Sequence, residues 1–267
     1  MLAVLSPAKA LDFSPPEVAV KASEPQLMKD ATTLMRTTRG LTQKRIRELM
    51  NLSPDLAKLN HERFQSFALP FDTDNALPAG LVFNGDVYRG LDARSLTPDQ
   101  LNYAQSHIAI LSGLFGVLRP LDLIQPYRLE MGTRLKTRRG ANLYAFWGER
   151  IAKALRADLA EHEDTTLINL ASNEYFKAVK AESLGAPVIE CVFEDWKRDP
   201  DEGLVIGFLA KYARGLMARY IVTEQIDRAQ GLKEFDWQRY TFQASRSTDT
   251  KWIFSRKFVP VEQSREG

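Results

Sequence analysis

Apolar residues along the chain fall into two kinds of run. Short continuous runs, bounded by turn residues, read as buried strands. Leu2 to Leu5, ended by Ser6-Pro7, is the first of these, and Leu167 to Leu170, Pro187 to Phe193 and Gly203 to Leu209 follow the same pattern. Apolar positions at helical spacing predict helices over Leu27 to Arg39, Thr42 to Met50, Asn142 to Leu159, Ser172 to Val179 and about Tyr212 to Gln225. Ser53-Pro54 and Thr97-Pro98 each place a capping hydroxyl before a proline at the first helical position. They predict helices through Phe64 and to about Leu111, respectively.

Alternation over Arg239 to Ala244 and Lys251 to Phe258 reads as a closing hairpin. Asp12 to Pro25 is an extended loop and residues 68–80 are turn-rich. Leu81 to Phe83 is a short strand or buried segment. The stretch LSGLFGVLRPLDLIQPY, broken by Gly113, Gly116, Pro120 and Pro126, reads as buried loop and short helix. No repeat or long linker interrupts the chain. These elements predict a mixed α/β (α+β) protein, one domain over 1–267, with a central mixed sheet flanked by helices. The order lacks a clean strand–helix alternation, which argues against a doubly wound fold.

Composition refines this picture in a few places. The 267 residues are 44% hydrophobic and 26% charged, ordinary values for a globular chain. The lone cysteine, Cys191, cannot form an internal disulfide, and the three histidines are scattered. No zinc-type spacing occurs, so no metal and no cofactor is expected. The N-terminal apolar stretch is too short for a signal peptide and has no basic residues before it. The run Ile108 to Leu118 is about half of what spans a bilayer. A cytoplasmic protein with no membrane partner is expected.

Net charge is only +2, yet charge is segregated. Arg119 to Arg156 holds nine basic and three acidic residues, Arg36 to Arg47 five basic and none acidic, and Leu204 to Val222 three basic and none acidic. One reading is a basic cleft for a polyanion, with arginines suited to phosphate. The other is a set of ordinary solvated helix faces.

Leu49 to Asn60 aligns with a helix-hairpin-helix pattern at Leu49, Leu52, Pro54 and Ala57. Such a hairpin, placed at about 42–64, directs backbone N–H groups at one DNA phosphate without reading bases. The pattern's glycines are replaced by Asn51 and Ser53, and Asp55 adds an acid, so an ordinary capped helix corner stays open. The candidate DNA-contacting set is Lys44, Arg45, Arg47, Asn51, Ser53, Lys58, Arg128, Arg134, Arg138, Arg139, Lys211 and Arg214.

Polar residues beside glycine or proline form five further constellations. They are Ser6-Pro7-Ala8-Lys9 after the first strand; Asn84-Gly85-Asp86 with Tyr88; Tyr127-Arg128 with Glu130 and Gly132; Asn169, Ser172, Glu174, Tyr175 and Lys177; and Lys211, Arg214 and Gly215. No P-loop, G-x-S-x-G or G-x-G-x-x-G accompanies them.

The strings SPAKALDF, FNGDVYRGL, LSGLFGVLRPLDLIQPYRLEMG, LYAFWG, INLASNEYFKAV and KYARGLMARYIV together resemble the YaaA family of bacterial peroxide-stress proteins. They span almost the whole chain. Ala10 stands where the family's opening motif commonly has threonine, and Asn173 where aspartate also occurs. The resemblance implies a family-specific α/β-type fold with a positively charged cleft and a helix-hairpin-helix. It also implies a DNA-binding protein of the peroxide response that limits unincorporated iron. The residues carried into its motif segments, expected to line the cleft, are Lys9, Asn84, Asp86, Tyr88, Tyr127, Arg128, Glu130, Asn169, Ser172, Glu174, Lys177, Lys211 and Arg214.

Three functions compete. One is DNA binding without strong sequence preference. Another is an enzyme acting on a nucleotide, nucleobase or modified DNA base. The third is iron sequestration by carboxylates such as Asp86, Glu130 and Glu174. Convergence of the polar set in one deep pocket would favour chemistry, and its spread along an open groove would favour DNA binding alone.

Overall fold

A computed structural model describes residues 1–258. Seven strands form one sheet: β1 (Leu2–Leu5), β2 (Ile108–Ser112), β3 (Gly116–Leu118), β4 (Leu167–Asn169), β5 (Val188–Trp196), β6 (Thr241–Phe242) and β7 (Lys251–Lys257). Their spatial order is β6-β7-β5-β4-β1-β2-β3. The five inner strands are parallel, and β6 and β3 add antiparallel edges. Every residue of β1, β2 and β4 is buried, as continuous apolar runs in a parallel sheet require when both faces are covered.

The principal helices are α1 (Met28–Arg39), α2 (Gln43–Met50), α3 (Pro54–Ser66), α4 (Asp86–Leu91), α5 (Pro98–His107), α6 (Leu143–Trp147), α7 (Arg150–Leu159) and α8 (Gly207–Thr223). Starts marked in the sequence are capped as expected. Ser53 accepts from the Leu56 N–H, with Pro54 at the first position, and Thr97 forms a reciprocal capping box with Gln100. The mixed sheet flanked by helices is thus the predicted architecture.

Several local expectations fail for identifiable reasons. The parallel centre was hidden in the sequence because the β1-to-β2 crossover runs through about 100 residues and five helices instead of a single helix. The LSGLFGVL stretch is not loop and helix. It is the β2–β3 antiparallel pair, turned where Gly116 adopts φ +73°. Helix α5 stops at His107, short of Leu111, because Ile108 to Ile110 pair with β1. Leu81 to Phe83 is not a strand of the main sheet. Ala79–Val82 is a helical turn, and Phe83–Asn84 pairs with Ala10–Leu11.

The helix predicted over Asn142 to Leu159 divides into α6 and α7 at Gly148, whose φ of +54° breaks the helical ladder. Gly203 to Leu209 is not a strand. Only Leu204 bridges to Asp195, because the place beside β5 is filled by β7, and α8 begins already at Gly207.

Two short-range features fix α8. Gly90 on α4 and Gly215 on α8 face each other so closely that a methyl at Gly215 would collide with the Val87 carbonyl, and one at Gly90 with the Tyr212 carbonyl. Backbone therefore meets backbone at this crossing. It locks together two helices that both border the crevice described next.

Candidate functional site

Strand β1 has β2 on one side and β4 on the other. The chain leaves β1 towards β2 and leaves β4 towards β5, so the connections diverge between β1 and β4. In open parallel sheets, ligands bind outside the carboxyl ends of strands at such a switch point. Here that position holds Ser6, directly after β1, and Ser172, just after β4. The Ser172 N–H donates to Ser6 Oγ at 2.9 Å, and the two hydroxyls lie 3.2 Å apart.

Above this pair opens a cavity of about 510 Å³. That size suits a small organic ligand, since such pockets run from about 300 to 1,000 Å³. Five separated segments supply its wall: Ser6 to Ala10, Asn84 to Tyr88, Tyr127 to Glu130, Leu170 to Tyr175, and Lys211 with Arg214. Of the residues singled out in the sequence, Lys9, Asn84, Asp86, Tyr88, Tyr127, Arg128, Glu130, Ser172, Glu174, Lys211 and Arg214 line it together.

Other candidates lie elsewhere. Asn169 is buried and its side chain accepts from the Ala171 N–H, shaping the exit from β4. Lys177 stands over the Tyr144 ring, 5.2 Å from its centroid. Lys44, Arg45, Arg47, Asn51, Ser53 and Lys58 are exposed on the α2–α3 corner, outside the cavity wall. Arg139 is paired with Asp30 and covers Phe146, whereas Arg134 and Arg138 are exposed and have no ion pair among the described residues.

Ser6 and Tyr175 belong to segments noted for their motifs, yet neither stood among the candidate site residues. Ser6's position immediately after the first buried strand is the signal that marks it.

Charge in the cavity is unevenly partnered. Glu130 holds Lys9 at 3.0 Å and Arg128 at 3.0 Å. Asp86 pairs with Arg89. Glu174 accepts from the Gly132 N–H at 2.8 Å and has no cation partner among the described residues. On the opposite wall, Lys211 and Arg214 of α8 have no ion pair among the described residues. The Arg214 Nε is moreover buried without a hydrogen-bond partner. Burial pushes the Arg214 guanidinium below its ordinary value, with Glu190 and Cys191 opposing. A buried donor left unmade is unfavourable, so this wall is electrostatically suited to an anion.

The remaining surface is aromatic and neutral. Tyr88 donates to the Ser6 carbonyl at 3.0 Å, and Tyr127 shares a 2.7 Å hydrogen bond with Ser112. Burial raises the phenols of Tyr88, Tyr127 and Tyr175. They therefore stay uncharged and offer ring faces to a planar ligand.

The α2–α3 corner approaches this region from the Arg128 side. Burial, with the Arg128 cation second, pushes the Arg63 guanidinium on α3 below its ordinary value. At the turn, Asn51 adopts the left-handed conformation, φ 50°, and Ser53 Oγ is occupied by the Leu56 N–H. These are features of any capped helix corner, and none is peculiar to phosphate binding.

The profile of the family described as "Peroxide stress protein YaaA" matches residues 1–246. The chain belongs to the YaaA peroxide stress family. Relatives named "UPF0246 protein" include one from Caulobacter vibrioides (strain NA1000 / CB15N), 51% identical over 96% of this chain and 99% of its own length. Another, from Paraburkholderia phytofirmans, is 50% identical over 97% of this chain and all of its own. A third, from Janthinobacterium sp. (strain Marseille), is 51% identical over 96% and 99%.

Membership in the YaaA family directs attention to groups that peroxide attacks. The lone Cys191 is buried in β5, and burial pushes its thiol well above the usual range, with Glu190 adding to the effect. Peroxide reacts with thiolates, so Cys191 is not built as a sensor. Among the described residues no group of three or more His, Cys, Asp and Glu side chains gathers to hold a metal ion. No described helix is long and apolar enough to cross a membrane.

Proposed function

We propose that this member of the peroxide stress family works through the crevice between β1 and β4, which takes a nucleotide, free or as one unit of a DNA strand. The observation that carries this reading is the convergence of polar residues from five distant segments in one deep cavity, with two unpaired cations on one wall. Lys211 and Arg214 meet the phosphate, and the tyrosine faces of Tyr88, Tyr127 and Tyr175 meet the base. The carboxylates of Asp86, Glu130 and Glu174 are available for hydrogen bonding and proton transfer, so an enzyme acting on a nucleotide, nucleobase or modified base fits the same crevice.

A second reading is DNA-backbone binding without chemistry, through a helix-hairpin-helix at α2–α3. It is favoured by Lys44, Arg47, Lys58, Arg134 and Arg138, all exposed and without ion pairs among the described residues. The two readings are compatible if exposed cations guide a strand whose base enters the crevice. The limit on unincorporated iron implied by the family is then indirect, and the purified protein should show no stoichiometric ferrous binding.

The test is titration of the purified protein with a mononucleotide and with single- and double-stranded oligonucleotides at several salt concentrations. Combined Lys211→Ala and Arg214→Met should weaken mononucleotide binding by about tenfold or more, the scale of losing charge-assisted hydrogen bonds. Unchanged affinity would remove the crevice reading. Combined Lys44→Ala, Arg45→Ala and Arg47→Ala should lower strand affinity and flatten its salt dependence while sparing the mononucleotide. Unchanged strand binding would remove the hairpin reading. Incubation with nucleotides and oligonucleotides, followed by product analysis, separates an enzyme from a binder.

A further inference from the structure

The cavity is polarised from wall to wall, and that polarity constrains the base as well as the phosphate. Lys211 and Arg214 on α8 offer only donors. Away from them stand three carboxylates on separate segments: Asp86 opening α4, Glu130 in the loop after β3, and Glu174 in the turn after β4. Ionised carboxylates only accept. Their charges are partly offset, Asp86 by Arg89 and Glu130 by Lys9 and Arg128, so they can stay ionised beside a ligand. The single backbone bond from Gly132 leaves most of the Glu174 acceptor capacity free.

A planar ligand in this cavity therefore meets acceptors from more than one direction. Adenine offers its amino group as donor, and its N7 is an acceptor. Guanine offers N1–H and its 2-amino group on one edge, but its other edge carries the acceptors N7 and O6. A carboxylate facing that edge is repelled. Oxidation of guanine at C8, a product of peroxide-derived oxidants, places a hydrogen on N7. The base then has donors on both edges.

Resting on the nucleotide reading above, we propose that the crevice selects 8-oxoguanine nucleotides: carboxylates accept from the N1–H/2-amino edge and from the N7–H edge, and Lys211 and Arg214 hold the phosphate. The cavity volume of about 510 Å³ accommodates one such unit. The tyrosine faces supply stacking that any purine would receive, so the carboxylates decide between bases.

The test is calorimetric titration of the full chain with inorganic phosphate, AMP, GMP and 8-oxo-GMP. The expected order of affinity is 8-oxo-GMP above GMP above AMP, with about a tenfold or greater step for the oxidised base, the scale of one well-placed base contact. Equal affinity for GMP and 8-oxo-GMP would overturn the selectivity while leaving the nucleotide reading in place. Nucleotides binding no better than inorganic phosphate would overturn both.

Glu174→Gln and Asp86→Asn exchange an acceptor for an amide that also donates, and each should narrow the ratio of 8-oxo-GMP to GMP affinity. A ratio unchanged in both variants would overturn the assignment to carboxylates. Repeating the titration with a single-stranded oligonucleotide carrying one oxidised guanine identifies the source of the ligand. A preference in either setting supports the proposal, and a preference in neither overturns it.

Discussion

Arg256 and Arg214 stand near the carboxyl ends of the parallel strands, in opposite circumstances. Arg256 on β7 is buried beside its cross-strand neighbour Asp195 on β5, with Nε 2.7 Å from the carboxylate. Its Nη1 donates to the Gln238 carbonyl at 3.2 Å, and its guanidinium lies 4.4 Å over the Tyr240 ring. Tyr240 in turn donates to the other Asp195 oxygen at 3.0 Å. Close by, Arg246 holds Glu194. Arg214 on α8 has no ion pair among the described residues and a buried Nε without a partner. The first cluster is closed because each group has its counterpart within the chain. The second is open, and its missing counterpart has to come from outside. A buried polar group is tolerated when satisfied, so incompleteness is the mark of a binding surface here.

The comparison predicts that damage to the closed cluster appears as lost stability. Asp195→Ala leaves Arg256 buried without its carboxylate and Tyr240 without its acceptor. Loss of one partner of a buried pair typically costs about 3–5 kcal/mol. Urea unfolding followed by circular dichroism should show a loss of that size. A loss under about 1 kcal/mol would mean that the cluster is not the closed structural unit described.

A smaller effect is expected at the helix crossing that frames the open cluster. Gly215→Ala inserts a methyl where the Val87 carbonyl already sits, and α8 must move away from α4. Overpacking of this kind costs about 1–3 kcal/mol. It also shifts Lys211 and Arg214 relative to Asp86 without removing any charge. Unfolding and nucleotide titration on the same variant should both be affected. Retained affinity despite the lost stability would show that net charge, and not placement, governs the open cluster.

Arg214→Met keeps much of the side-chain volume and removes the unpartnered buried donor. Its stability should stay within about 1 kcal/mol of the parent, because no internal partner is orphaned. Nucleotide affinity should nevertheless fall about tenfold or more. A large stability loss, comparable with Asp195→Ala, would move Arg214 into the closed class and remove the contrast.

The difference between the clusters was only half legible in the sequence. Lys211, Arg214, Glu130 and Glu174 were visible as polar residues beside glycines, but so were Asn169 and Lys177, which point to other tasks. Whether a charge has a partner depends on pairing between segments far apart, such as Lys9 with Glu130 or Arg139 with Asp30. A one-dimensional charge count treated Arg119 and Arg139 as free when both are paired. Helix starts were legible because Thr97 and Ser53 act within one turn. Strand order was not, because β7, last in the chain, inserts beside β5. The run Leu204 to Phe208 resembled a strand through its apolar composition, yet its place at β5 was taken by β7, and Leu204, Val205 and Phe208 are exposed.

The opposite edge of the sheet offers the weakest and most specific test of the same principle. His107 and His162, met edge to face at 4.8 Å, lie where β1 and β2 begin, with Tyr103 stacked on His107 at 3.8 Å. Burial is the first cause that lowers both imidazoles, and the N-terminal ammonium of Met1 adds to it. Asp227 opposes this at His107, and Asp158 and Asp164 oppose it at His162. Burial also lowers the Met1 amine.

A base with a folded value below its unfolded one is protonated more readily in the unfolded chain. Its stabilising contribution is present above the unfolded value, about 6.5 for histidine, and is lost as pH falls through the lowered folded value. Unfolding free energy should therefore decline from neutral pH downward, by less than any substitution above. His162→Gln should reduce that slope, because it removes one imidazole and the charge it would place beside His107. An unchanged slope would show that this edge, unlike the open crevice, takes up a proton without penalty.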